Sequence, residues 1–358
     1  MLYQTENPHG GDRYSCPIRL DFSANINPLG TPGSVRQAVV RSVGRLDHYP
    51  DPYCMELVQS IAVFEKLPSS YVLCGCGAAE LIYSYCAAKW PKRAMELAPA
   101  FSEYSSALEN VNCEIIRYAL SSKQQFLLDE AFLPVLEQER PDVLFLCNPN
   151  NPTGQLVPTE LMERIVTVCS EKEIALFVDE CFLDMTDNGE VSTLKSYLAE
   201  MPGLFILKAF TKSFGMAGLR LGYGLCSDKK LLKAMGRSVQ PWNISIPAQA
   251  AGVAALGEQM FLEQARTIIA EERRWLKGEL EQLGAVVCPS AANFLLFYSE
   301  LPLYEKLLER GIRIRPCENY HGLTKGWYRI AVKLHEENRI LMNEIRTLTK
   351  ESLWLSAL

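Results

Sequence analysis

Residues 204–215 read LFILKAFTKSFG. The run 204–208 contains no glycine or proline and predicts a buried strand, and Gly215 and Gly218 keep the segment after it tight. Working upstream, two similar apolar runs at 174–178 and 143–147 predict further strands. The first ends at Asp179; the second enters the turn Asn148-Pro149-Asn150-Asn151-Pro152-Thr153-Gly154. Further strands are expected near 71–74, 94–97, 114–118 and 221–225. Helices are expected near 78–89, 101–110, 129–138, 158–172 and 228–237. Such alternation predicts an α/β fold, a large and mostly parallel sheet with helices on both faces.

Outside this block the texture changes. Residues 1–30 are punctuated by Gly10-Gly11, Asn27-Pro28 and Leu29-Gly30 and predict irregular chain. Helices are expected at 33–44 and 53–66. From 245 to 283 the chain is rich in Ala, Glu, Arg and Leu and predicts long helix broken near Gly257. A small α+β tail follows, with strands near 285–288, 293–297, 312–315 and 327–332 and a helix at 335–350. The expected division is a large domain at 30–250, with 1–29 and 251–358 forming an N-terminal arm and a small domain. The apolar end, ESLWLSAL at 351–358, is expected to pack on that small domain.

Composition narrows the function classes. The chain has 358 residues, is 48% apolar and carries a net charge of −6. That fits a globular protein with a sizeable core and argues against nucleic acid as a partner, which favours a basic stripe. No apolar run approaches the roughly 18 residues of a membrane span, and the N-terminus has no apolar signal segment. The twelve cysteines are scattered singly and the four histidines lack ligand spacing, so reduced thiols in the cytoplasm and no metal are expected.

In open α/β sheets, ligands bind outside the carboxyl ends of the strands. Four candidate groups fall there: the turn Gly75-Cys76-Gly77-Ala78 at a helix start, Asn151, Asp179, and Lys212 with Thr211 and Arg220. A helix start suits a phosphate, and the planar fork of Arg220 suits the same group. A lysine taken alone is a solvated surface charge. In this order, with an asparagine and a strand-end carboxylate, Lys212 becomes a Schiff-base lysine for pyridoxal phosphate. Asp179 would then pair with the cofactor's ring nitrogen.

On these residues the chain resembles the fold-type I pyridoxal-phosphate enzymes of the aspartate aminotransferase superfamily, from about Asp21 to Arg329. The resemblance implies that Gly77, Ala78, Thr211 and Arg220 hold the cofactor phosphate. It puts Asn151 on the 3′-oxygen, Asp179 on the ring nitrogen and Lys212 on the aldehyde carbon. Phe101 stacks on the ring, with Tyr104 as the other aromatic candidate. Arg329, in Trp327-Tyr328-Arg329-Ile330-Ala331, grips the substrate α-carboxylate. Tyr49 reaches the partner subunit's cofactor, which implies a homodimer.

Two branches of that superfamily compete: threonine-phosphate decarboxylases of cobalamin biosynthesis and histidinol-phosphate aminotransferases. His9-Gly10-Gly11 and Asp21-Phe22-Ser23-Ala24-Asn25-Ile26-Asn27-Pro28 resemble the first more closely, as does Phe182 where most aminotransferases carry Tyr. The implied substrate is a small phosphorylated amino acid, L-threonine O-3-phosphate, with His9, Asn25 and Arg315 near its phosphate. In the strand-like Ile312-Arg313-Ile314-Arg315 the two arginines share a face, and one of them is expected to be a solvated charge. Ala209 stands where related enzymes carry Ser or Thr, so Lys208 or a water is expected to replace that phosphate donor. A fold that has lost catalysis and only binds is the remaining alternative, which the retained Lys212, Asp179, Asn151, Arg220 and Arg329 oppose.

Overall fold

The computed structural model describes residues 9–187 and 189–356. The first eight residues of the expected arm and the side chains of the apolar tail 352–358 lie outside the described residues.

The fold class agrees with the expectation. Seven strands form one sheet in the order Val72–Gly75, Gly222–Leu225, Leu204–Ala209, Ala175–Asp179, Val143–Cys147, Arg93–Ala98, Glu114–Ala119. All run parallel except Gly222–Leu225, which is antiparallel to both neighbours. The central strands are apolar on both sides because both faces are covered, as parallel sheets require. Strand alternation sorts them cleanly. Leu144, Leu146, Leu176, Val178, Leu204 and Ile206 enter one core with the helices Met55–Glu65, Thr159–Glu171 and Ile246–Ala255. Phe145, Cys147, Phe177, Phe205 and Leu207 enter the other, with the helices Gly77–Lys89 and Glu103–Glu109. In that second core Phe145, Phe177 and Phe205 sit in register on adjacent strands and stack with centroids 4.7 and 5.1 Å apart. Cross-strand aromatic pairs of this kind stiffen a sheet.

A four-stranded antiparallel sheet, Arg315–Pro316, Trp327–Ala331, Phe294–Tyr298 and Val286–Val287, has its own core with the helices Gln259–Gln282 and His335–Ser356. The expected helix break falls between Ala255 and Gln259. Two expectations change here. Residues 1–30 contain a strand, Leu20–Asp21, which pairs in parallel with Ile312–Arg313. The single strand 312–315 is accordingly two: Ile312–Arg313 joins the N-terminal segment, while Arg315–Pro316 joins Trp327–Ala331. Neither arginine is a solvated charge, since both are 8% exposed.

All twelve cysteines are free thiols. Among the described residues no helix is long and apolar enough to cross a membrane.

Candidate active site

The carboxyl ends of the parallel strands open onto a cavity of about 190 Å³. Asp179, Asn151 and Lys212 reach it because each ends its strand or follows it within a few residues. Ala78, Ala79, Phe101, Thr211 and Arg220 line it from the large sheet's side. His9, Asn25, Arg315, Tyr320 and Arg329 line it from the N-terminal segment and the smaller sheet. Candidates as distant in sequence as His9 and Arg329 thus share one wall.

Asp179 is buried, and its carboxylate accepts from the Tyr104 hydroxyl at 2.6 Å and from the Cys181 N–H at 2.9 Å. Burial raises its pKa, and these donors oppose the rise. Tyr104 therefore stands behind the carboxylate, within the aromatic core; Phe101 lines the cavity and Tyr104 does not. Tyr104 is the second residue of the helix Glu103–Glu109, and its ring packs on Phe145 at 5.6 Å.

The Lys212 amine lies 5.8 Å from the Phe182 ring centroid. Its pKa is pushed down to about 8, first by burial and second by Arg329. A lowered pKa makes the neutral, nucleophilic form of the amine easier to reach and the cation a readier proton donor. Arg329 donates to Asn151 Oδ1, to the Tyr320 hydroxyl at 3.2 Å and to the Ser23 carbonyl at 2.9 Å. All three partners are neutral, so its positive charge is uncompensated by them, and its Nε has no hydrogen-bond partner. The Asn25 Oδ1 is likewise buried without one. Arg315 bonds Asn319 at 2.9 Å and sits 5.6 Å from the Tyr320 ring.

At the helix start the backbone is bare of side chain. Gly77 has φ +81°, and a Cβ there would come within 2.8 Å of Arg220 Nη2, so the guanidinium rests against the bare backbone. Arg220 itself has φ +54°, a conformation rare for a side-chain-bearing residue. The Glu80 carboxylate accepts from the Cys76 N–H at 2.6 Å and thereby closes the turn on its other side. The following N–H groups of the first helical turn have no intrahelical partner.

Two candidates fall elsewhere. Tyr49 is 77% exposed, away from the cavity, and packs on Trp242 with centroids 4.6 Å apart. Lys208 does not replace the missing donor at Ala209. Successive residues of a strand face opposite ways; Ala209 lines the cavity and Lys208 points into the other core. There its amine meets Asp184 at 2.7 Å, Glu65 at 3.7 Å and Glu180 at 3.8 Å. Tyr320 was not foreseen. It lies in a loop without a motif, and only its approach to Asn151 and Arg329 reveals it.

The chain is similar to known proteins along most of its length. Residues 17–345 match the family model "Aminotransferase class I and II". The chain is 36% identical over 333 residues to a threonine-phosphate decarboxylase of Salmonella typhimurium, covering 91% of this chain and 90% of that one. It is 33% identical over 343 residues to a histidinol-phosphate aminotransferase of Desulfitobacterium hafniense, covering 93% and 92%. The solved histidinol-phosphate aminotransferase of Clostridium acetobutylicum superposes with a TM-score of 0.86 at 28% identity, covering 93% and 99%.

Proposed function

The chain belongs to the class I and II aminotransferase family, and from that premise we propose that it is a pyridoxal-phosphate enzyme that decarboxylates L-threonine O-3-phosphate to aminopropanol phosphate and CO₂. The residues present fit the cofactor. Gly77, Ala78, Thr211 and Arg220 offer a cationic, N–H-rich cradle for its phosphate, which a Cβ at position 77 would fill. Asp179 is a buried carboxylate facing the cavity that suits a protonated ring nitrogen. Asn151 would serve the 3′-oxygen, Phe101 would flank the ring and Lys212 would meet the aldehyde. When bound, the cofactor supplies an electron sink for the bond broken at the amine-bearing carbon.

The observation that carries the substrate assignment is a surplus of cations. Lys212, Arg220, Arg315 and Arg329 line the cavity beside one carboxylate, Asp179. With Arg220 assigned to the cofactor, two arginines remain. A substrate with both a carboxylate and a phosphate uses both: Arg329 holds the carboxylate, and Arg315, with His9 and Asn25, holds the phosphate. Binding the remote phosphate orients the carboxylate for cleavage. Tyr104 keeps the Asp179 carboxylate in place. Lys212, with its lowered pKa, delivers a proton to the carbon that CO₂ has left.

A second reading has specific support: both histidinol-phosphate aminotransferases named above cover nearly the whole chain. There Lys212 would move a proton from the amine-bearing carbon instead. One incubation separates the two. The holoprotein with threonine phosphate should release CO₂ and aminopropanol phosphate stoichiometrically. Conversion of histidinol phosphate that requires 2-oxoglutarate and releases no CO₂ would replace the proposal.

We also propose a cytoplasmic homodimer, in which the exposed Tyr49 of each subunit approaches its partner's cofactor phosphate. Twelve free cysteines suit a reducing compartment. Sedimentation at micromolar concentration should give twice the 40.2 kDa chain mass; a monomer that binds cofactor normally would remove Tyr49 from the site.

A further inference from the structure

The segment 101–104 does three things in four residues. Phe101 lines the cavity, Tyr104 reaches Asp179 from behind, and Glu103, between them, takes the N-terminal segment. One Glu103 oxygen meets His9 Nε2 at 2.7 Å; the other accepts from the Tyr83 hydroxyl at 3.1 Å. The His9 hydrogen bond is the largest influence holding the Glu103 carboxyl below its usual pKa. The His9 ring also lies 5.6 Å from the Phe101 ring.

The other side of His9 is fixed as well. A Cβ on Gly10 would come within 2.3 Å of the Ser23 carbonyl oxygen, and the Gly11 N–H donates to Ser23 Oγ at 2.8 Å. Asp12 approaches Arg313 at 3.5 Å. The N-terminal segment therefore crosses from the strand Ile312–Arg313 to the helix Glu103–Glu109, and Glu103 is its attachment on the far side. His9 sits where the Lys212 cavity meets an adjoining cavity of about 770 Å³; both spaces share His9, Gly10, Ser23 and Arg315.

We propose that Glu103 is a positioning residue for substrate binding: its carboxylate, braced by Tyr83, holds His9 across the cavity mouth beside Arg315 and so sets the affinity for the phosphate end of the substrate. This rests on the assignment of a phosphorylated substrate to the cavity. A histidine anchored through one ring nitrogen has its plane and its reach set by the anchor, and loss of such an anchor weakens the group it orients. Glu103 touches neither cofactor nor reacting carbon, so its effect belongs to binding. Neither Glu103 nor Tyr83 lies in a motif, and only the fold connects them to residue 9.

The test uses the holoprotein and two readouts. In Glu103→Gln, KM for threonine phosphate should rise about tenfold, the loss expected when a charge-assisted hydrogen bond becomes a neutral one, while kcat stays within about twofold. In a His9→Ala background the same substitution should move KM by less than about twofold, because the anchored group is gone. Tyr83→Phe, a milder change, should raise KM in the same direction by a smaller factor. The second readout is trypsin cleavage after the exposed Arg13, which should be faster in Glu103→Gln and in His9→Ala to the same extent. An unchanged KM in Glu103→Gln, a fall in kcat in its place, an undiminished effect in the His9→Ala background, or unaltered cleavage each overturns the role. If threonine phosphate releases no CO₂ from wild-type protein, the decarboxylase assignment fails by itself. Cleavage at Arg13, and KM for histidinol phosphate, then decide Glu103 separately.

Discussion

Lys208 and Lys212 leave one short stretch of chain four residues apart and meet opposite fates. Lys208 is surrounded by three carboxylates: Asp184, Glu65 and Glu180. Burial alone would depress its pKa, but those charges overcome it and raise it. The cluster extends to Tyr223, which donates to Glu65 at 2.6 Å, and to Lys195, 3.1 Å from the same carboxylate. Lys212 is desolvated too, yet its second largest influence is the cation Arg329, and its pKa falls to about 8. Burial is common to both; the sign of the neighbouring charge decides whether a buried lysine's pKa rises or falls.

The widest separation between the two should come from deleting each amine. Lys212→Ala should lower kcat for CO₂ release by about 10³-fold or more and should not lower thermal stability. Retention of a tenth of wild-type activity would return Lys212 to the ordinary lysines. Lys208→Met should act the other way. It strands Glu65, Glu180 and Asp184 with one cation fewer, a loss of about 3–5 kcal/mol in urea unfolding for a broken buried pair. Its kcat per folded molecule should change far less than in Lys212→Ala. A Lys208→Met protein of wild-type stability would mean that the cluster is not a structural ion group.

A smaller effect should follow at the carboxylate facing Lys212. Tyr104→Phe removes the 2.6 Å donor to Asp179, and kcat should fall about tenfold. An unchanged kcat would show that the Cys181 N–H suffices to hold Asp179.

The most direct test of the comparison is one of pH. The folded pKa of Lys212, about 8, lies below its ordinary value, about 10.4. Between those values the unfolded chain binds more protons than the folded one, so stability rises with pH across that window. In cofactor-free protein the Tm of wild type should therefore gain on that of Lys212→Met from pH 8 to pH 10. A gap independent of pH would contradict the lowered pKa.

Much of this was legible in order and spacing. The strands at 143–147 and 174–178 and the helix near 78–89 were predicted from apolar runs and turn residues to within a residue or two, and the structure draws Asn151, Asp179 and Lys212 into one cavity. The misplacement of Lys208 was avoidable, because strand alternation already opposes it to Ala209. Tyr104 was harder. Its spacing from Phe101 fits either a cavity wall or a core, and packing on Phe145 settles it. Arg313 and Arg315 share an alternating pattern, but the parallel pairing of Leu20–Asp21 with Ile312–Arg313 divides the strand.

The amino-acid order alone determined the α/β layers, the antecedents of the cavity and the residue types at the strand ends. Those features depend on local periodicity and on turns, which are written within a few neighbouring positions. Only the tertiary structure decided the partners: Arg329 with Asn151 across 178 positions, His9 with Glu103 across 94, and the opposite charges beside the two lysines. Electrostatic influence acts through space over a few ångströms, so a side chain's pKa and orientation follow from packing that no local pattern records.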